Sequence, residues 1–390
     1  MIREVDIAIL GGGCAGLSLG RELAFADYQG EVIVIEPRSQ YLNDRTWGFW
    51  HTRDHDLRHL VVKSWPNWSL STPSSKVTLA GDHFLYQMIP ADLFYAEAIR
   101  SINTHPQYCL MTDTEAQEIK MLNEGVFVKT TRETVFAQQV FDTRPRPAAT
   151  DKALIWQIFS GAEIETDTNV FETHKASLMG NMSSTKTGMQ FTYCLPLTPR
   201  RALIQNTWFM RERQPADCLD APFYEYLDKE LGCGIQILRT ERGALPMGQF
   251  PQAQQDHPRI IRAGQAAGAL RASSGYGFLR IQEWAQKTAQ MLAAGSPASA
   301  TRYDGYFDAA MDRVFLDAFK THTKDSPEWF LSLARALTGD EFASFMSGHT
   351  SPLLWSKVIK SLPKGPFLSA ALKNMARGLA PFSTTKVAKR

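Results

Sequence analysis

The sequence predicts an α/β protein. It reads as a discontinuous Rossmann-type domain, a mainly antiparallel β substrate domain and a helical carboxy-terminal tail. Three observations carry this. The chain opens strand, glycine turn, helix, strand over residues 5–10, 11–16, 17–25 and 31–36, which is a βαβ unit. A second strand, small-residue turn and helix recur over residues 259–294. Between them, residues 126–142 and much of 154–246 alternate apolar and polar side chains as strands do. The expected boundaries are a cofactor domain over residues 1–80, 126–150 and 256–300, a substrate-side segment over 81–125, a substrate domain over 151–255 and a helical region over 301–390.

A chain of 390 residues with 44% hydrophobic and 21% charged residues fills two lobes with ordinary cores. A formal net charge of +2 gives no general attraction to nucleic acid, and no nucleic-acid-binding motif changes that. Cys14, Cys109, Cys194, Cys218 and Cys233 lack C-x-x-C spacing, which argues against a zinc site or a disulfide framework and fits a reducing cytosol. The nine histidines show no ligand spacing, so no metal is expected. No hydrolase or phosphate-loop motif is present. The amino terminus begins directly with a strand-like run rather than a signal peptide, and no stretch reaches the roughly 20 apolar residues of a spanning helix.

Gly11-Gly12-Gly13-Cys14-Ala15-Gly16 matches G-x-G-x-x-G between a strand and a helix, with Glu36 ending the next strand twenty residues past Gly16. Gly11 permits the turn, Gly13 lets backbone approach a pyrophosphate, and Gly16 lets helix and strand close up. Cys14 and Ala15 open the helix whose N–H groups face the anion, and Glu36 suits an adenosine ribose. A purely structural glycine turn is the alternative. Downstream, residues 263–277 (AGQAAGALRASSGYG) are laid out as the second flavin-contact motif of FAD monooxygenase-like proteins (the GR2, PHBH-like type). Gln265 stands at that motif's aspartate position and Ala272 at its proline. This resemblance implies FAD, with Gly264, Gln265, Gly275 and Tyr276 near the ribityl chain and ring; a packing loop is the alternative. Asp142 sits where a strand-end aspartate is expected, or in a salt-bridged turn.

Four further segments resemble the lycopene cyclase family of flavoproteins: Asn43-Asp44-Arg45-Thr46-Trp47-Gly48-Phe49-Trp50, the run FTYCLPLTPRRAL at 191–203, ERGALPM at 241–247, and Ser273-Ser274-Gly275-Tyr276 with Arg280 following. The resemblance covers essentially the whole chain. It implies redox-neutral ring closure on a linear carotenoid or similar polyene, using reduced FAD and with NAD(P)H only as the external reductant. A carboxylic acid would protonate a terminal double bond. Aromatic faces, for which Trp47, Trp50, Tyr193 and Tyr276 qualify, would stabilise the cation. Asp44 and Trp47 are placed with the chemistry and Arg45 with the cofactor.

The pattern breaks at two acids. Gln205 occupies the family's usual glutamate position, and Gly180 the position of an aspartate in a related L-M-D element. An amide releases no proton at physiological pH, so Gln205 cannot carry the acid role. Three explanations stand: another carboxyl group has taken over, with Glu241 first and Asp44, Glu163 and Glu165 behind it; the fold serves an FAD/NAD(P)H-dependent oxidation or hydroxylation in which Gln205 and Asn206 orient an apolar substrate; or the chain binds flavin and polyene without turnover. Finally, residues 347–390 hold no Asp or Glu but eight basic side chains: Lys357, Lys360, Lys364, Lys373, Arg377, Lys386, Lys389 and Arg390. With the interleaved leucines and aromatics, this predicts peripheral contact with anionic lipid from the cytoplasmic side, against the alternative of a packed helix with a solvated basic face.

Overall fold

A computed structural model describes residues 2–145, 153–232, 234–248, 257–299 and 302–376. The first sheet runs Tyr108–Met111, Val32–Ile35, Ile2–Leu10, Thr134–Asp142, Val126–Thr130, Ala116–Met121, with Ile260–Arg262 added beside Thr134–Asp142. Its first four strands and Ile260–Arg262 are parallel, and the last two form an antiparallel hairpin extension. Val32–Ile35 is buried at every position, as a parallel strand covered on both faces requires. One face carries helix Cys14–Phe25, flanked by helices Ala91–Thr104 and Phe278–Ala293, which close a core including Leu17, Phe94 and Trp284.

The second sheet runs Ile235–Met247, Ile155–Thr166, Arg201–Met210, Gly188–Pro196, Lys175–Ser184, Asn67–Thr72, Ser75–Ala80. It is antiparallel except where Lys175–Ser184 meets Asn67–Thr72. Helix Asp220–Leu231 covers one face through Phe223 and Leu227. A three-stranded sheet, Thr46–His51, Leu85–Pro90 and Lys63–Trp65, lies in the same core as the helices of the carboxy-terminal third, through Trp50 and Trp65. Those helices span Tyr306–Thr321, Ser326–Ala336, Gly339–Ser347, Pro352–Ser361 and Lys364–Ala376. Local rules place their starts: Thr338 and Glu341 form a reciprocal capping box, and Ser351 caps a helix with proline in its first turn.

Two stretches depart from the expected boundaries. Residues 67–80 leave the first part of the cofactor domain and end the second sheet, while residues 108–121 supply both edges of the first sheet rather than a substrate-side segment. Each holds two short strands, and the pairings that decide the sheet, Asn67–Thr72 with Lys175–Ser184 and Tyr108–Met111 with Val32–Ile35, lie far off in sequence, so local alternation identifies an extended segment without saying which sheet it joins. Cys233, Arg377, Lys386, Lys389 and Arg390 lie outside the described residues.

Candidate active site

The glycine turn is built by steric exclusion. Gly11 has φ +93, and a Cβ on Gly16 would stand 1.9 Å from the Gly11 carbonyl oxygen. A Cβ on Gly13 would meet nothing within 4 Å. Gly13 caps helix Cys14–Phe25 without a side-chain hydrogen bond, so the first N–H groups of the helix keep no side-chain partner at the cap. Glu36 accepts the Gly12 N–H at 2.6 Å and the Arg38 guanidinium at 2.8 Å, while Arg38 and Tyr41 both donate to the Gly12 carbonyl. Burial pushes the Cys14 thiol up to about 12, which keeps this turn free of a thiolate.

Gly264, with φ +69, brings the second turn onto the first: a Cβ there would lie 2.8 Å from the Ala15 Cβ. Gln265 is half-buried in the short helical turn Gly264–Ala267. Gly275, with φ +75, sits where a Cβ would stand 2.8 Å from Gln157 Oε1. That oxygen and Ser274 Oγ are buried without a hydrogen-bond partner. Both edge a cavity of about 160 Å³ enclosed by Trp47, Tyr86, Tyr193, Gln205, Tyr276 and Phe278. The Trp47 ring stacks on Phe278 at 4.9 Å and meets Phe94 edge-on at 5.3 Å. Burial raises the phenols of Tyr86, Tyr193 and Tyr276 above their ordinary value, so all three hold their protons.

The acid is placed by strand register. Tyr193 lies opposite Gln205, Gln205 opposite Gly161, and Gly161 opposite Glu241, so the four share one row and one face across four strands. The backbones of Gln205 and Glu241 are two strand spacings apart, about 10 Å. They meet because residue 161 has no side chain: a Cβ there would fall 2.5 Å from Gln205 Cγ. The Gln205 amide donates to Glu241 Oε1 across the glycine. Glu241 Oε2 accepts from Thr46 Oγ1 at 2.9 Å and from Arg239 at 2.7 Å, and Arg239 also donates to Thr46 Oγ1 at 2.7 Å. Behind Arg239, the buried Glu163 accepts from Arg239 at 2.8 Å and from Arg201 at 2.5 Å. Burial is the largest influence on Glu241 and raises its pKa; Arg239, Thr46 and Gln205 oppose it without reversing it.

The structure therefore brings together Glu241, Gln205 and, through the adjacent Thr46, Trp47. Glu241 does not itself line the cavity; Gln205 and Thr46 stand between. Asp44 is elsewhere: it accepts from Arg45 at 3.2 Å and Tyr95 at 3.2 Å and lies 3.8 Å from Arg38, beside the first glycine turn. Arg45 goes with it. Glu165 is half-buried further along the strand that carries Glu163. Asp142 is tied to Arg144 at 2.8 Å. Gly180 pairs with Thr192, one step off the row of Gln205, and Asn206 faces away from Gln205. Sequence reasoning missed Thr46, Arg239, Gln157 and Gly161. The last was detectable, since a glycine inside a strand pattern signals a close approach.

Comparison with known proteins follows this geometry. The model of the family described as "Lycopene cyclase protein" matches residues 6–370. The chain belongs to the lycopene cyclase family. It is 26% identical over 284 residues to lycopene beta-cyclase of Pantoea ananas, covering 70% of each chain. It is 28% identical over 190 residues to lycopene beta-cyclase of a Paracoccus strain, covering 47% of this chain and 48% of that one. Among solved structures, a geranylgeranyl bacteriochlorophyll reductase-like protein of Thermoplasma acidophilum superposes with TM-score 0.66 at 12% identity over 96% of this chain and all of that one. The flavin-dependent brominase Bmp2 gives TM-score 0.61 at 12% identity, with 96% and 100% covered. At that identity the likeness establishes the fold: this family member has the Rossmann-type architecture of flavin-dependent enzymes.

Proposed function

We propose that this member of the lycopene cyclase family closes a ring on the end group of a linear carotenoid or similar polyene, with Glu241 as the proton source in place of the missing acid at 205. The observation that carries it is the buried Glu241, raised in pKa and held by the two cavity-lining groups Gln205 and Thr46.

FAD fits the residues present. The Gly11, Gly13 and Gly16 positions leave backbone and space for a pyrophosphate, and Glu36 with Arg38 stands where the adenosine end would lie. At the Gly275 edge of the aromatic cavity, Gln157 Oε1 and Ser274 Oγ are buried without partners, which suits a ring bearing donors and acceptors lying along that edge. When bound and reduced, FAD supplies an electron-rich face beside the developing cation; NAD(P)H is the reductant we assign to keep it so.

The chain's own residues would act as follows. When Glu241 is protonated the Thr46 hydroxyl turns, so that it accepts from the carboxyl instead of donating to it; Glu241 then passes its proton to Thr46 Oγ1 as the Thr46 hydroxyl releases its own to the terminal alkene carbon. The π electrons of that alkene form the new C–H bond and leave a tertiary carbocation. Trp47 and the tyrosines present ring faces to that cation and exclude water. A neighbouring alkene attacks it, closing the ring. Arg239 and the Gln205 amide stabilise the Glu241 carboxylate, which takes back one proton through Thr46 as the cyclohexene forms, so no net electrons are consumed. Anaerobic incubation of the flavin-reduced protein with lycopene, followed by product analysis, tests this. Ring-containing product is expected; product only with oxygen and stoichiometric NAD(P)H would replace it by the oxidoreductase reading.

We also assign a lipid-facing surface to the last two described helices. Leu353, Leu368, Leu372 and Met375 are exposed there among Lys357, Lys360, Lys364 and Lys373, with no acidic residue between 347 and 376. Among the described residues no helix is long and apolar enough to cross a membrane. Co-sedimentation with phosphatidylserine vesicles, lost when the four lysines become glutamate, is the expected result; binding unchanged by that replacement removes the assignment.

A further inference from the structure

A second cavity, of about 200 Å³, lies among the carboxy-terminal helices, all five of which contribute to its wall. Met311, Phe315, Leu333, Met346, Phe367 and Ala371 show its character: the lining is apolar except near one end, where Ser273, Ser274 and Asp312 appear, and at Lys364. Asp312 there is neutralised, since Arg271 pairs with it at 3.3 Å and Ser273 Oγ donates to it at 2.8 Å. Protein interiors pack to crystal-like density, and an apolar void of about 150 Å³ stays dry and takes up hydrocarbon.

Two features say what fills this one. Ser274 lines both this chamber and the aromatic cavity beside Gln205, so the two spaces adjoin at Ser274. The turn that carries Ser274 is held in place by hydrogen bonds from Arg271 N to Tyr276 O and from Gly275 N to Arg271 O, both 2.8 Å. At the other end, Ile359 and Leu368 line the chamber and are also exposed at 41% and 59%, so its mouth opens among the apolar residues of the surface already assigned to lipid.

We propose that the helical chamber is a binding site for a segment of the unreacted arm of a long linear isoprenoid, which enters at Ile359 and Leu368 and passes Ser274 to present its end group beside Thr46 and Gln205. The assignment rests on the cyclase reading for the identity of the end group, but the chamber's affinity for an extended apolar chain is separable from it. A site of this kind selects by length: a short substrate with the same end group fills only the aromatic cavity, while a long one draws binding energy from both.

The test uses the flavin-loaded full chain and parinaric acid, a linear conjugated tetraene whose fluorescence reports apolar burial. Two variants obstruct the chamber: Ala371→Trp in its wall and Ile359→Trp at its half-exposed mouth, the second being easily tolerated by folding. Wild type should bind the probe, and each folded variant should weaken it about tenfold. The same variants should raise KM for lycopene severalfold and leave turnover of a C20 isoprenoid with the same end group within twofold. Probe affinity unchanged in both folded variants overturns the proposal, as does equal loss of turnover on long and short substrates. If no substrate is cyclised yet the probe binds and both variants weaken it, the chamber assignment stands and the cyclase reading falls.

Discussion

Replacing Glu241 by Gln tests the proton source with little disturbance to its surroundings. Its Oε2 atom accepts from Thr46 at 2.9 Å and Arg239 at 2.7 Å, and an amide oxygen in that place accepts the same two bonds. On the other side the new NH2 would meet the Gln205 amide donor, but rotation of the Gln205 amide turns its carbonyl inward and restores the pair. Arg239 loses one buried carboxylate and keeps Glu163 at 2.8 Å. Exchanging a charge-assisted for a neutral hydrogen bond changes stability by about 1 kcal/mol. The melting temperature should therefore move by a few degrees at most. A general acid contributes about 10²- to 10⁴-fold, so Glu241→Gln should lower single-turnover ring formation by that factor, about 3–5 kcal/mol in the barrier, at full flavin content. Anaerobic single-turnover assays with lycopene and chromatographic product analysis measure it. Ring formation within threefold of wild type in a flavin-replete variant would refute the reasoning.

Further outcomes follow from the same geometry. Gln205→Glu sets a second carboxyl against Glu241, and because two adjacent carboxylates resist joint ionisation, the pair should retain a proton to higher pH and extend activity upward, read from a pH–rate profile. In the unsubstituted protein the raised Glu241 pKa means that the acid form survives above the ordinary carboxylate range, so activity should fall as pH rises through that raised value. The stability contribution has the same sign: it is fully present below the ordinary carboxylate value and lost as pH rises through the raised folded value, so chemical denaturation should show a smaller decline across that window in Glu241→Gln. Thr46→Val, which keeps shape but removes the hydroxyl, should lower ring formation at least tenfold with flavin still bound. Gly16→Ala drives a methyl to within 1.9 Å of the Gly11 carbonyl oxygen, so the purified variant should lose its flavin absorbance; a fully yellow variant would contradict the placement of the cofactor.

The two glycine turns could be read from sequence because each is a local device in which φ and close approach restrict the residue type. Glu241 was found by a motif match. Its partnership with Gln205 lies between residues 36 positions apart and depends on a central strand whose register no local pattern states. Thr46 and Arg239 were missed for the same reason: a threonine beginning a strand and an arginine within one look ordinary until three separate chain segments converge on one carboxylate. Asp44 erred in the other direction. Three residues before Trp47, it is held in a strand-entering loop by Arg45 and Tyr95 and does not line the cavity that Trp47 lines. Segments 67–80 and 108–121 were assigned to the wrong layers because edge strands carry weak patterning and take their identity from their neighbours.

The contact of Gly264 on Ala15 joins positions nearly 250 residues apart into one wall. A nascent chain that has emerged only through its amino-terminal βαβ unit thus presents half a cradle, and capture of the dinucleotide must await synthesis of the second turn. Strand Ile260–Arg262 beside Thr134–Asp142 and helix Phe278–Ala293 packed on helix Cys14–Phe25 already hold the two turns together, so the ligand would meet a wall assembled from both, and limited proteolysis should find residues 263–277 more resistant once the flavin is in place.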